Sequence, residues 1–132
     1  MNGFVDDQLR ALLPVSVSAS REGNRTEIPA WIDTAFNGGL AIPRNLAVGL
    51  GLVEVSYVEA VLADGKSVEL PLFRCIIDWF GHCYETEIAG SDGKFALLGT
   101  VLLGDRDLHI AETPLLWCAR FGIFIVDTWR WR

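Results

Sequence analysis

An acid and a hydroxyl stand side by side where a strongly apolar stretch of the sequence ends. Trp31 and Ile32 lead directly into Asp33 and Thr34. A carboxyl group that is half buried at the end of a strand has to be hydrogen-bonded, paired with another charge or used in chemistry. Carboxylates in such positions act as general acids and bases, and the simpler alternative is a helix cap or an Asx turn. Asp33 is therefore the first candidate for a catalytic residue.

Other kinds of site find little support in the composition and the motifs. The net charge of −6 argues against a nucleic-acid partner, and the only local concentration of basic residues is in 129–132. The three cysteines (Cys75, Cys83 and Cys118) lack the paired spacing of a structural zinc site, so we expect free thiols and no metal. The sequence also has no Gly-x-Ser-x-Gly nucleophile elbow and no glycine-rich phosphate loop.

The length of 132 residues fits one domain that spans residues 1–132 and encloses one hydrophobic core. The longest apolar runs fall far short of the roughly 20 residues that a membrane-spanning helix needs. A basic segment followed by an apolar one is typical of a secretory signal, and the N-terminal part of this sequence shows no such pattern. We therefore expect a soluble, cytoplasmic protein that makes no contact with a membrane.

The elements that must position Asp33 are predicted to be mostly strands. Apolar residues alternate with other residues over 13–19 and 28–32, and this period of two predicts half-buried strands. The Asp-Gly pairs at 64–65 and 92–93 predict hairpin turns, and a third turn is expected at Gly81-His82. Many short strands with frequent turns favour an all-β protein, a small closed or sandwich-like β barrel.

Helical signal is sparse in this sequence. Residues 43–48 begin with a proline and are followed by glycines, which is typical of a short helix, and residues 100–103 predict another.

Four sequence elements, taken in order, resemble those of the retroviral-type (retropepsin-like) aspartic proteases, especially their small bacterial relatives. The stretch Ile32-Asp33-Thr34-Ala35-Phe36-Asn37-Gly38-Gly39-Leu40 resembles the family's Asp-Thr-Gly motif with its bacterial extension. Leu97-Leu98-Gly99 resembles the later hydrophobic-hydrophobic-Gly motif, and 98–103 is typical of the bacterial branch. The turn at 62–66 stands where the family has its flap, a hairpin that closes over substrate. The resemblance covers about residues 3–111.

The resemblance implies a role for each residue of the first motif. Asp33 is expected to be the catalytic acid. Thr34 is expected to belong to a hydrogen-bonded network that joins the two active-site loops of a homodimer. Ala35 departs from the family's glycine, which offers backbone groups to the substrate. If Ala35 has a negative φ, the substitution costs little; a positive φ would strain the loop by about 1 kcal/mol or more.

The resemblance also assigns the remaining site residues. The flap is expected at Leu62, Ala63, Asp64, Gly65 and Lys66. The apolar subsites for a peptide substrate are expected near Phe36, Leu40, Leu62 and Leu97. Leu98 and Gly99 are expected to pack behind the catalytic loop.

Aspartic proteolysis needs two carboxylates that share one proton, and this chain has one matching motif. The resemblance therefore implies an aspartic endopeptidase with the retropepsin barrel fold. A homodimer would supply Asp33 twice, and the chemistry requires no cofactor and no metal. The alternative that Ala35 leaves open is a non-catalytic peptide-binding or assembly module that keeps the protease-like barrel. Residues 112–132 lie outside the resemblance, and their apolar character favours an interface strand.

Overall fold

A computed structural model describes residues 1–104, 106–115 and 118–127, which form ten strands and two short helices. The elements in chain order are β1 (Asn2–Val5), β2 (Ala11–Ser18), β3 (Thr26–Ile32), β4 (Leu40–Pro43), α1 (Arg44–Gly49), β5 (Val53–Val61), β6 (Ser67–Trp79), β7 (His82–Ser91), β8 (Ala96–Leu98), α2 (Thr100–Leu103), β9 (Arg106–Leu115) and β10 (Cys118–Asp127). The predicted all-β class and both predicted helices are confirmed.

Six of these strands close into a barrel. They follow the order β6, β7, β4, β8, β3 and β2, and β2 then pairs with β6. The closing contact is short, because only Ser16, Val17 and Ser18 pair with the antiparallel strand β6. β5 continues the sheet beyond β6 on one side, and β1, β10 and β9 continue it from β2 on the other. The closed β barrel that the sequence predicts is therefore confirmed.

The barrel closes because alternate residues of its strands bury apolar side chains inside it. Leu13, Val15 and Val17 of β2 are at most 1% exposed. Along β3 the burial alternates from Ile28 to Ile32 as the period of two predicts. Inward-facing side chains of β4, β6, β7 and β8 complete the same core.

Two of the three predicted hairpin turns are confirmed, and one is wrong. The Asp64-Gly65 turn joins β5 to β6. The turn expected at Gly81-His82 lies one residue earlier: Phe80 and Gly81 join β6 to β7, with φ angles of 52° and 78°, as a type I′ turn requires. Asp92-Gly93 does not join two paired strands, because β4 lies between β7 and β8 and pairs with both.

β9 and β10 are two long strands that pair with each other, and they include most of the segment 112–132 for which the sequence favours an interface strand. β9 and β10 are antiparallel, and their pairing runs from Arg106 opposite Asp127 to Leu115 opposite Cys118. β10 also pairs with β1 at Asn2 to Phe4, so the hairpin extends the sheet of its own chain. Residues 116–117 and 128–132 lie outside the described residues. Among the described helices, none is long and apolar enough to cross a membrane.

We expect the buried thiol of Cys75 to resist alkylation in the folded protein. Its side chain is 0% exposed, and burial raises the pKa of the thiol to about 11. At pH 8 only about one in a thousand of these groups is a thiolate. Iodoacetamide should therefore label the partly exposed Cys83 long before Cys75, as read by peptide mass spectrometry. Both should react in denaturant, and equal labelling in the native protein would contradict this burial.

Candidate active site

The loop that carries Asp33 begins where β3 ends and leads into β4. The backbone N–H of Asp33 donates to the carbonyl oxygen of Leu98 at 2.9 Å, which extends the β3–β8 pairing by one residue. The N–H of Phe36 donates to the carbonyl oxygen of Asp33 at 3.1 Å and closes a turn. The Asp33 Oδ1 accepts a hydrogen bond of 2.9 Å from the N–H of Ala35. The half-buried carboxylate is therefore held by its own loop.

A second segment crosses behind this loop and fixes its shape. β8 lies between β3 and β4, parallel to the first and antiparallel to the second. The N–H groups of Gly99, Thr100 and Val101 then donate to carbonyl oxygens of the Asp33 loop, at Gly39 (2.7 Å), Phe36 (2.9 Å) and Gly38 (3.1 Å). The structure thus brings the predicted residues 97–99 directly behind the predicted catalytic loop.

A glycine is required at position 99 because the crossing leaves no space for a side chain, and not because of its backbone angles. Its φ of −99° is open to any residue. A Cβ at Gly99 would overlap the carbonyl oxygen of Gly38 and would lie 2.6 Å from the Phe36 ring. The Phe36 ring in turn covers Gly38, where a Cβ would overlap the end of that ring. The two segments approach so closely only because these glycines have no side chain.

Thr34 and Ala35 are both exposed at the surface of the loop. Within the described residues the Thr34 hydroxyl has no hydrogen-bond partner, so it is available to a group from outside the chain. Ala35 is not among the described residues with positive φ, which are Leu9, Phe80 and three glycines. Of the two alternatives for Ala35, the structure therefore gives the one in which the methyl group causes no backbone strain.

A cavity of about 240 Å³ lies beside the carboxylate, and its walls are Trp31, Ile32, Asp33 and Leu97. Of the residues predicted to form subsites, Leu97 lines this cavity. Two other predicted subsite residues do not line it. Leu40 lies in the core at 3% exposure, and the ring of Phe36 packs against Gly38. Sequence reasoning missed Trp31, although an aromatic residue on the solvent side of β3, two residues before the acid, was a usable signal.

The predicted flap is the exposed turn between β5 and β6. The N–H of Leu62 donates to the carbonyl oxygen of Lys66 at 2.8 Å, and the N–H of Gly65 donates to Leu62 at 2.9 Å. Gly65 adopts a φ of 84°, which a residue with a side chain rarely does. Asp64 Oδ1 accepts from the N–H of Lys66 at 3.0 Å, so these hydrogen bonds join only residues of the turn itself.

No metal-binding cluster was found among the described residues. Among the side chains that the structure describes, which belong to residues 1–104 and 106–110, no group of three or more His, Cys, Asp or Glu is placed to hold an ion.

We expect Gly99→Ala to destabilise the protein, because the new methyl group has to separate the two crossing segments. Overpacking of this kind costs typically about 1–3 kcal/mol, and contact with backbone atoms places Gly99 at the upper end. Gly49→Ala in α1 is the matched control, since a Cβ there meets nothing within 4 Å and alanine favours a helix. Urea unfolding measures both, and equal stability of the two variants would contradict the close crossing.

Comparison with known proteins supports the fold. No family model matches the chain, and no curated protein matches it. Among solved structures, EIAV protease complexed with the inhibitor HBY-793 is similar, with 18% sequence identity and a TM-score of 0.54. The match covers 76% of this chain and 90% of that chain. At this identity the similarity establishes a shared fold, so the chain has the β-barrel fold of a retroviral protease.

Proposed function

We propose that the protein is an aspartic endopeptidase that works as a homodimer, with one Asp33 from each subunit. The observation that carries this proposal is the position of Asp33. It is an acid held by its own loop, over a crossing strand, in a barrel with the fold of a retroviral protease. We also propose that the protein belongs to the small bacterial branch of these proteases, which its sequence resembles.

The proposal of a homodimer rests on the chemistry of aspartic proteases, which hydrolyse peptide bonds with a pair of carboxylates. Two carboxylates a few Å apart cannot both ionise comfortably, so the pair shares one proton. The ionised carboxylate takes a proton from water, whose oxygen adds to the peptide carbonyl carbon, while the protonated one gives its proton to the carbonyl oxygen. The tetrahedral intermediate, a gem-diol, then collapses: the C–N bond breaks, the leaving nitrogen takes the proton from the pair, and one hydroxyl of the gem-diol returns its proton to the pair as the new carbonyl group forms. The dyad returns to its starting state with one proton.

The surroundings of Asp33 support this chemistry in three ways. Its Oδ1 is oriented by the N–H of Ala35, so the carboxylate needs little reorganisation. The exposed Thr34 hydroxyl is free to join the same group of a second copy across a two-fold axis. The β5–β6 hairpin is proposed to close over an extended peptide, which would bind by backbone hydrogen bonds as an added strand. We propose further that the β9–β10 hairpin contributes to the dimer sheet.

We expect Asp33→Asn to abolish peptide cleavage while leaving the fold intact. An amide cannot act as a general base, and loss of such a group costs at least about 100-fold in kcat. The matched control is Glu22→Gln, the same carboxylate-to-amide change in the exposed β2–β3 turn. Cleavage of a random peptide library, followed by mass spectrometry at several pH values, measures all three proteins. Equal cleavage by wild type and Asp33→Asn would exclude the proposal, and silence from a folded wild type would favour the binding module.

Subunit mixing tests the shared site separately from the catalytic acid. If each site needs two Asp33 residues, a ninefold excess of Asp33→Asn subunits leaves about a tenth of the wild-type subunits with a wild-type mate. Activity per wild-type subunit should then fall about tenfold after subunit exchange. Glu22→Gln subunits at the same excess are the control and should not reduce it. A site complete within one chain would keep its full activity in both mixtures.

A further inference from the structure

A second cavity, of about 340 Å³, lies between the β6–β7 hairpin and α2, and none of the residues that line it belongs to the Asp33 loop. Its walls include Ile77, Trp79, Tyr84, Val101, Leu102 and Arg106. Pockets for small molecules have volumes of about 300–1,000 Å³, and an apolar cavity of about 150 Å³ in another protein holds benzene. This cavity therefore has room for a molecule of one or two rings.

The aromatic walls of this cavity are held by neighbouring rings. Trp79 is buried at 3% exposure, and its ring meets that of Phe80 edge to face, with centroids 5.3 Å apart. Phe80 in turn lies under the guanidinium group of Arg106, whose Cζ is 4.4 Å from the ring centroid. The ring of Tyr84 lies 6.2 Å from that of His82. Walls that are fixed before a ligand arrives lose little conformational entropy when they bind it.

The charges at the cavity favour a neutral ligand. One cationic side chain, Arg106, and one anionic side chain, Glu85, both line the cavity, so their fields oppose each other there. Glu85 also pairs with Arg74 at 3.3 Å. Apart from the hydroxyl groups of Tyr84 and Thr86, the other side chains of the lining are aromatic or aliphatic. A neutral aromatic molecule fits such walls, because its ring packs on theirs and a polar atom on it can bond the few polar groups.

Two walls of the cavity belong to the segment that holds the Asp33 loop. The N–H of Val101 donates to the carbonyl oxygen of Gly38 at 3.1 Å. The side chains of this segment reach the same loop, because a Cβ built at Gly39 would lie 3.7 Å from the Cγ of Leu102 and 4.0 Å from the Cγ1 of Val101. A molecule that packs against Val101 and Leu102 therefore restricts the movement of the backbone that shapes this loop.

We propose that this cavity binds a small neutral aromatic molecule and that its occupation stabilises the Asp33 loop through Val101 and Leu102. The ligand is an effector and not a substrate, since Asp33 does not line the cavity. Binding is independent of the proposed peptide cleavage, whereas an effect on cleavage rests on that proposed function. The coupling is reciprocal, so a protein whose loop is ordered binds the effector more tightly.

Indole, a neutral molecule of two fused rings, is the probe for the cavity. Titration of the isotope-labelled protein, followed by NMR, gives Kd. Tyr84→Ala removes one aromatic wall and should weaken binding about two- to tenfold, the range that one aromatic contact gives, whereas Tyr84→Phe should retain most of the affinity. Tyr57→Ala is the matched control, because Tyr57 is 67% exposed on β5 and does not line the cavity. Equal Kd values for Tyr84→Ala and Tyr57→Ala would overturn the site.

Amide hydrogen exchange tests the link to the Asp33 loop and needs no catalytic activity. Exchange at Val101 requires its hydrogen bond to Gly38 to open. If that opening disrupts the cavity, indole at ten times its Kd should slow exchange at Val101 by up to about tenfold. The amides of Leu62 and Gly65 in the β5–β6 turn are the control and should not change. Binding of indole without slower exchange at Val101 would refute the link.

Cleavage kinetics separate failure of the effector site from failure of the protease. With a peptide that wild type cleaves, indole should change kcat, and Tyr84→Ala should need about two- to tenfold more indole for the same change. A rise in KM alone would identify indole as a competitor at Asp33 and would overturn the effector role. Absence of cleavage by folded wild type would contradict the proposed function, while the binding and exchange results would still decide for or against the cavity.

Discussion

The rest of the site depends on how closely two backbone segments approach at Gly99. The crossing segment donates three N–H groups in a row, from Gly99, Thr100 and Val101, to carbonyl oxygens of the Asp33 loop. Buried backbone groups have to be paired, and here each segment satisfies the other. A side chain at Gly99 would separate them and leave these groups without partners. The shape of the loop around Asp33 therefore depends on the absence of a side chain at Gly99, which allows these hydrogen bonds to form.

Barrel closure supplies the rigid frame that makes this crossing possible. β8 has only three residues, so it is held by its neighbours β3 and β4 and not by its own length. Those neighbours are fixed because the sheet returns on itself through the pairing of β2 with β6. The inner faces of these strands are packed with fully buried Leu13, Ile42 and Leu98. Packed cores resist small displacements, and this resistance keeps Asp33 in register with the loop behind it.

The sequence predicted those features whose cause is local, and it failed where the cause lies far along the chain. The period of two predicted β2 and β3, because strand pleating is a property of neighbouring residues. Asp92-Gly93 was misinterpreted as a hairpin, since the pair specifies a tight turn but not which strands will pair. The stacking of Arg10 on Phe95 was missed because it joins residues from opposite parts of the sequence. The partners of the strand expected in 112–132 could not be predicted, because β10 pairs with β9 and with β1, which lies at the other end of the sequence.

The pairing of β1 with β10 has a consequence for how the chain folds during synthesis. β1 leaves the ribosome before the other described strands, and its partner β10 leaves after them. Every strand of the barrel precedes β10, so the barrel can close while one edge of β1 still lacks a neighbour. Contacts of such long sequence separation form slowly, and an unpaired strand edge invites association with other chains. In the interval before β10 emerges, the nascent chain thus has an unpaired strand edge that can associate with other chains.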